Sequence, residues 1–318
     1  TYSFWVATNS FDSEFDPDET DDFKWFDYRL DIPLTDHVTM SMGKQKEPIS
    51  LARLMTLTWN PMQERAAAEN AMMESRNVGV TLSGRAFDER VTWAGGVFNN
   101  WIDSDESFSD NARQYTGRFT WLPMISEDES NLIHLGVSVR YDEAKQGLQY
   151  NSGPEVRDAP LFVDTGLFDA NSATLFNLEA GWRRGPVWIQ GEWTRNAIDA
   201  PDLGDPVFSG WHIISSWTVT GETRPYNKRN GIFGPLPVAR DTEHGGHGAL
   251  ELALRWSEID LTSGAINGGE MQVAKAAATW WATRSFNVSL NYQWIWNEFN
   301  GSEGRADGFV LRAMVFTK

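Results

Sequence analysis

The chain has 318 residues, no cysteine and a formal net charge of −17. The lack of cysteine excludes disulfides and thiolate metal sites, and the acidic balance excludes nucleic acid as a partner, because phosphate binding needs a basic surface. No run of about 18 apolar residues occurs, which excludes a transmembrane helix in this sequence. Thr1 is expected to be an internal or processed start, because no signal peptide begins the sequence. Sixteen tryptophans favour a protein that meets both hydrocarbon and water.

Alternation of apolar and polar residues with period two recurs along most of the chain. The stretch NLIHLGVSVRYD, residues 131–142, places every second apolar side chain on one face and His134, Ser138 and Arg140 on the other. This period over ten or more residues predicts a strand. The pattern predicts fourteen strands, at residues 1–9, 23–34, 38–48, 76–87, 91–102, 112–124, 132–145, 173–185, 186–198, 206–220, 249–261, 270–283, 287–299 and 308–318.

The predicted strands are longer than those of most soluble sheets. About 10 to 12 residues at about 3.3 Å each and a tilt of about 45° rise about 23–28 Å, the height of the apolar band of an outer-membrane barrel. A soluble β-sandwich or lectin-like protein with a half-wet sheet is the alternative, but its strands should be shorter, and it would have to bury the apolar faces or leave them uncovered. The sequence therefore predicts an all-β fold, a single transmembrane antiparallel β-barrel over residues 1–318.

The predicted connections alternate between short and long. Short turns are expected at 35–37, 88–90, 125–131, 184–186 and 284–286. Long loops are expected at 11–22, 48–75, 103–111, 146–172, 199–205 and 300–307. Outer-membrane barrels have short periplasmic turns and longer external loops. Residues 221–248 break the pattern, since they form a long segment on the short-turn side. Either this is a true periplasmic excursion or the strand count slips by one.

Several stretches, in the same order along the chain, are similar to the phosphate-selective porin O and P family of outer-membrane porins. They include SWTVTGETRPYNKRNGIFGPL at residues 216–236, GKQKEPISLARL at 43–54, MESRNVGVTLSG at 73–84, ALELALRWSEIDL at 249–261 and FVLRAMVF, which ends at Phe316. The resemblance implies a trimeric porin of 16 strands in the bacterial outer membrane, in contact with lipid and lipopolysaccharide. Fourteen visible strands then suggest that a hairpin precedes Thr1, and a closed 14-stranded barrel is the alternative.

The resemblance also implies a loop that folds into the barrel and narrows it. Residues 49–75 lack strand alternation and contain the helix-forming run AAAENAMM. The candidates for the constriction are Arg53, Glu64 and Arg65, with Lys44 and Lys46 as possible constriction lysines. The alternative is that the charges of Arg53, Glu64 and Arg65 pair with one another and only fix the loop. Lys44 and Lys46 share a side with two methionines by alternation, so they are also candidates for the outer rim.

Strand parity predicts which charged side chains line the lumen, seven basic and five acidic. They are Asp27, Arg29, Asp31, Arg85, Arg118, Arg140, Glu179, Arg183, Glu192, Glu251, Arg255 and Lys275. Phosphate selectivity of the kind that the family's name states would need a ladder of arginines, and no segment has Arg at i, i+2 and i+4. We therefore expect passive diffusion of small hydrophilic solutes and ions, with at most a mild preference for phosphate-like anions.

The acidic excess lies elsewhere, in residues 11–22, 103–110 and 127–129. These segments either bind divalent cations or are simply solvated, and no other cofactor is predicted. No G-x-S-x-G, H-E-x-x-H or phosphate-binding loop occurs, and His244 and His247 alone fall short of a metal site. His134 and His212 are predicted to face the lumen and to pair with carboxylates. The alternatives to a porin are an outer-membrane hydrolase and a plugged structural or adhesin barrel.

Overall fold

The computed structural model describes residues 3–9, 24–99, 111–156 and 159–315, and in residues 3–9 and 24–26 only the backbone. The predicted acidic loops at 11–22 and 103–110, and Phe316, lie outside the described residues.

Within this part of the chain, fourteen long strands form one antiparallel sheet in which each strand pairs with its neighbours in sequence. Two short hairpins lie outside that sheet, β8 with β9 and β13 with β14. The strands are β1 Ser3–Asn9, β2 Lys24–Pro33, β3 Val38–Gln45, β4 Asn77–Ala86, β5 Val91–Asn99, β6 Arg113–Ile125, β7 Asn131–Glu143, β8 Asn151–Ser152, β9 Val163–Asp164, β10 Ser172–Arg184, β11 Val187–Asp199, β12 Val207–Thr218, β13 Tyr226–Asn227, β14 Ile232–Phe233, β15 Ala249–Ser263, β16 Ile266–Trp281, β17 Phe286–Phe299 and β18 Ser302–Val315.

The long strands confirm the fourteen predicted from alternation, with ends that differ by a few residues. One predicted loop is wrong. Residues 300–307 do not form a long loop, because β17 and β18 are joined by Asn300 and Gly301 alone. Both residues have positive φ, 52° and 71°, as a two-residue type I′ turn requires. The Asn-Gly pair was therefore the stronger local signal.

The sheet curls into a barrel around residues 46–76, which we call insert 1. This segment is bonded to strands far apart in the sheet: Glu47 to Asn77 on β4, Ala52 to Glu192 on β11, and Gln63 to Asn291 on β17. A flat sheet cannot bring β4, β11 and β17 to one segment of this length, so the wall must wrap around it. Among the described residues, β1 pairs only with β2 and β18 only with β17.

Two further connections lie inside the barrel, in the part of the chain that the structure covers. Insert 2, residues 144–171, carries the hairpin of β8 and β9, and insert 3, residues 219–248, carries that of β13 and β14. Insert 3 leaves the wall at the short-turn end, so the strand count did not slip. The helices are short. Insert 1 carries α1 Leu51–Leu54, α2 Ala67–Met72 and a 3-10 turn at Leu57–Trp59, and further 3-10 turns lie at Pro201–Leu203 and Thr242–His244. Among the described residues, no helix is long and apolar enough to cross a membrane.

The two faces of the wall have opposite character. On β7, Leu135, Val139 and Tyr141 are 40–44% exposed, while His134 and Arg140 between them are at most 5% exposed. A soluble protein rarely leaves so many large apolar side chains in contact with solvent across successive strands. The apolar face therefore points outwards to lipid, and the polar face points into the barrel.

Candidate channel lining and constriction

A cavity of about 1140 Å³ runs along the inner face of β2 to β5. It reaches the turn at residues 35–37 at one end of β3 and Lys46 at the other. The eight residues of β3 extend about 26 Å along the strand at about 3.3 Å each, which at a tilt of about 45° is a rise of about 19 Å, so the cavity follows the wall over more than half of a bilayer core. From the wall it is lined mainly by hydroxyl and charged side chains, among them Asp27, Arg29, Asp31, Thr39, Ser41, Thr81, Ser83, Arg85, Thr92 and Arg118.

Most charges on this wall are neutralised by a neighbour. Arg29 lies 2.8 Å from Asp31, and Arg76 lies 3.1 Å from Asp27. Arg85 pairs with Glu89 at 3.0 Å, with both side chains partly exposed. Paired, half-hydrated ions of this kind give the wall a weak net field.

The inserts contribute two cations to the opposite side of the cavity. Lys46 donates to the backbone oxygens of Leu54 and Met55, at 3.0 and 3.1 Å. Burial, together with the charges of Arg65 and Arg76, lowers the pKa of Lys46 to about 7. Arg229 on insert 3 also lines the cavity and has no carboxylate partner in the part of the chain that the structure covers. Asp36 in the turn supplies one opposing charge, so the balance is slightly positive.

The other predicted lumen residues lie on the inner face, but the inserts cover them. Arg118, which touches the cavity, also forms a fully buried pair with Glu179 at 2.6 Å, and His134 approaches the same carboxylate at 3.0 Å. Arg118 donates as well to the backbone oxygen of Gly231 on insert 3. Arg140 pairs with Glu47 at the start of insert 1, at 2.9 Å.

Insert 3 is fixed by a second group of buried contacts. Arg224 lies 2.7 Å from Glu251 and 4.9 Å from the ring centroid of Trp188, whose indole packs edge-on against Phe233. Arg183 donates to the backbone oxygen of Arg224. Insert 3 therefore occupies the interior of the barrel and does not extend away from its short-turn end.

Insert 1 is held in place by one carboxylate of the wall and by one carboxylate of its own. The carboxylate of Glu192 on the wall accepts the backbone N–H of Ala52 at 2.6 Å. His212 on β12 lies 2.7 Å from Glu69 on α2. The prediction that His134 and His212 face the interior and meet carboxylates is confirmed, although the partner of His212 comes from the insert and not from a neighbouring strand.

The three predicted constriction charges do not line the cavity. Arg53 is 8% exposed and donates to the backbone oxygen of Glu74, and Arg65 donates to those of Ala52 and Met55. Burial lowers the pKa of Arg53 to about 10 and raises that of Glu64.

In place of those charges, insert 1 lines the cavity with Lys46, Leu54, Thr56 and Trp59. Lys44 lies on the face of β3 that carries Met40 and Met42, and it is not among the cavity residues.

Parity could not find the charges that the inserts bring in. Glu155 and Arg224 lie in segments without alternation, and Glu47 lies near the end of the predicted strand 38–48. Only the fold shows that each meets an inward charge of the wall. Glu155, between Arg255 and Lys275, is the most enclosed of the three and is treated separately below.

A catalytic or metal centre has little support in the geometry. Within the described residues, no group of three or more His, Asp or Glu side chains is arranged to hold a metal. His244 pairs with Asp241 at 2.6 Å on an exposed turn. In the acidic segment 127–129, Asp128 accepts from Ser126 and Ser130, and Glu129 pairs with Lys228. Cation binding by the acidic loops stays a prediction.

The polar interior and the apolar outer face define an outer-membrane β-barrel, and the comparisons supply the family. The sequence model of the family described as phosphate-selective porin O and P matches residues 3–315. The chain belongs to this family, as the resemblance predicted, and its place is the bacterial outer membrane.

Two curated relatives match the chain at low sequence identity. An uncharacterized protein of Caulobacter vibrioides is 26% identical over 268 residues, covering 80% of this chain and 52% of the relative. Porin O of Pseudomonas aeruginosa is 22% identical over 246 residues, covering 66% of this chain and 54% of the relative. The chain thus spans about half the length of the curated relatives it matches.

Solved structures agree on the fold. OprB of Pseudomonas putida superposes with a TM-score of 0.56 at 9% identity, covering 92% of this chain and 73% of that one. The trimer form of OmpT, an outer membrane protein of Vibrio cholerae, gives 0.54 at 11% identity, covering 93% and 82%. Identities this low show the barrel fold alone.

Proposed function

We propose that this protein forms a water-filled channel through the outer membrane for passive diffusion of small hydrophilic solutes and ions. The observation that carries the proposal is the cavity beside β2 to β5, which reaches both ends of β3 and has a hydroxyl-rich, charged wall. A polar passage along the length of β3 lowers the cost of moving a hydrated solute past hydrocarbon. Membership of a porin family supports the same function.

The passage favours small anions weakly. Lys46 and Arg229 face it from the inserts, against the single carboxylate of Asp36, while the other wall charges are paired. A net excess of about one positive charge raises the local concentration of anions without excluding cations. Neither the wall nor the inserts present a row of unpaired arginines to this cavity, so we propose mild rather than strong phosphate selectivity.

Insert 1 narrows the passage, and the narrowing groups are Lys46, Leu54, Thr56 and Trp59 rather than Arg53, Glu64 and Arg65. The outer apolar face is covered by lipid, with lipopolysaccharide at the external rim. We propose a homotrimer, the state implied by the family resemblance. The trimer form of the Vibrio cholerae barrel gives this proposal structural support.

A plugged structural barrel is the second candidate, because one specific observation favours it. Three inserts fill much of the interior and bury most of the inward charges. If the passage beside β2 to β5 is blocked at either end, the barrel carries no solute. No observation favours a hydrolase, and we propose a non-enzymatic role.

Recording from single molecules in planar bilayers separates these candidates. A channel gives discrete current steps and, in a salt gradient, a reversal potential displaced slightly towards the anion value. Arg229→Glu moves that potential towards the cation value, because it replaces the cation at the cavity by an anion. Silence at every voltage, with folding verified by heat-modified gel mobility, would establish the plugged barrel.

A further inference from the structure

The tip of insert 2 places the carboxylate of Glu155 in a buried pocket on the inner wall. Arg255 and Ser257 on β15 donate to it. The backbone N–H of Ala67 on α2 donates at 3.0 Å, and the ammonium of Lys275 on β16 lies 3.4 Å away. One carboxylate thus receives donors from the wall and from insert 1, an arrangement typical of anion-binding sites.

The pocket holds more positive than negative charge. The side chains of Glu155, Arg255 and Lys275 are each at most 2% exposed. Arg255 contacts the backbone oxygen of Glu64 but not its carboxylate. Two cations thus contact one carboxylate, and the carboxylate of Glu64 interacts electrostatically with both of them from further away. A buried cation that loses its contacting anion is strongly unfavourable. If Glu155 leaves, the pocket requires another anion.

The wall by itself brings the donor residues together, although the ammonium of Lys275 also donates to the backbone oxygen of Glu155 at 2.8 Å. Arg255 and Lys275 are directly paired across β15 and β16, and Ser257 lies two residues further along the same inward face. Glu155, in contrast, adopts a φ of 58°, in the left-handed region that non-glycine residues rarely occupy. The pocket is therefore part of the wall and insert 1, and its occupant is held in an unfavourable backbone conformation.

We propose that Arg255, Ser257, Lys275 and the backbone N–H of Ala67 form a carboxylate-binding site that Glu155 occupies, and that small carboxylate anions compete with Glu155 for it. Displacement of the Glu155 carboxylate weakens the attachment of the tip of insert 2 to the wall, leaving the bonds from Lys275 and Gln293 to the backbone oxygens of Glu155 and Pro154. A carboxylate solute thereby loosens a segment that fills the barrel. The effect on passage rests on the proposed channel function, whereas binding at the site does not.

The first test uses Glu155→Gly in the full chain, because glycine removes the carboxylate and also relieves the positive φ. Its thermal midpoint should fall by about 5–10 °C, since two buried cations lose their partner. Formate should restore the midpoint with a saturable dependence, whereas chloride at equal ionic strength should not. The matched control is Glu129→Gly, another glutamate at positive φ, which lies on an exposed turn and should show no specific response to formate.

Rescue by chloride to the same extent, or no rescue by any anion, would overturn the proposal. Rescue by inorganic phosphate but not by formate would overturn the assignment to carboxylates.

The wild type provides a second test that does not depend on the folding of a variant. The amide of Phe162 donates to the backbone oxygen of Ser152 and reports the hairpin of insert 2. Formate up to about 0.5 M should speed hydrogen exchange of this amide. The high concentration is needed because the Glu155 carboxylate, as an intramolecular ligand, has a local concentration in about the millimolar range or above.

Unchanged exchange in the wild type would exclude competition. Formate binding without any conductance would refute the channel and leave the site intact, so the two failures are distinguishable.

Discussion

The wall formed by β2 to β5 and the wall formed by β10 to β16 have the same alternating sequence pattern and opposite interiors. On the first wall, Arg29 and Arg85 border a cavity and keep partial contact with water. On the second, Glu179 and Arg255 lie beneath inserts and are at most 5% exposed. Alternation therefore decides which side chains point inwards, and the inserts decide whether those side chains meet water or protein.

This difference in hydration changes how much an ion pair contributes to stability. A half-hydrated pair adds little to stability, whereas removing one partner of a buried pair leaves a charge that water cannot reach. The open wall is therefore expected to tolerate substitution and to control ion passage, and the covered wall to control stability.

The largest contrast should come from removing one carboxylate on each wall. Glu251→Gln leaves Arg224 uncompensated in the covered half and should lower the free energy of unfolding by about 3–5 kcal/mol. Glu89→Gln breaks the partly exposed pair with Arg85 and should cost at most about 1 kcal/mol. Urea unfolding in detergent or lipid measures both. Equal losses would show that the two walls are not different environments.

Substitution of one tryptophan on each side should separate stability from conductance in the same way. Trp188 is 1% exposed and packs on Phe233, so Trp188→Ala should cost about 3–5 kcal/mol and leave conductance little changed. Trp59 lines the cavity, so Trp59→Ala should raise single-channel conductance by roughly 1.2- to 2-fold with a smaller loss of stability. A conductance that rises only in Trp188→Ala would place the passage on the covered side.

Ion preference should depend on pH through Lys46. With a pKa of about 7, its ammonium is charged below that pH and neutral above it, so anion preference should weaken between pH 6 and pH 8. Lys46→Met should remove this dependence, while Lys44→Met, on the outer face of β3, should retain it. Reversal potentials in a salt gradient measure the effect, and a Lys46→Met channel with the wild-type pH profile would contradict the assignment.

The smallest effect is expected at Arg65. Its guanidinium is bonded to backbone oxygens within insert 1 and does not line the cavity. Arg65→Glu should therefore shift the reversal potential less than Arg229→Glu does. A larger shift from Arg65 would restore it to the constriction, as the sequence predicted.

Much of the barrel was predictable because each strand carries its own signal. On β7, the alternation of Leu135, Val139 and Tyr141 with His134 and Arg140 fixed both the strand and its inward face. The turn at Asn300 and Gly301 was also predictable from its residue types. Alternation, in contrast, placed the start of the last strand at residue 308, whereas β18 begins at Ser302. The partners of the inward charges were not predictable, since Glu155 comes from a segment with no periodic pattern and Glu47 from the end of a predicted strand whose alternation names no distant partner.

By itself, the sequence determined the antiparallel strands, their inward faces and the family, because a period of two is a local property of the chain. The tertiary structure alone decided that insert 3 enters from the short-turn end, that Glu155 meets Arg255 and Lys275, and that a cavity remains beside β2 to β5. These outcomes depend on contacts between residues a hundred or more positions apart, and burial, which sets the strength of each charge interaction, is created by those contacts.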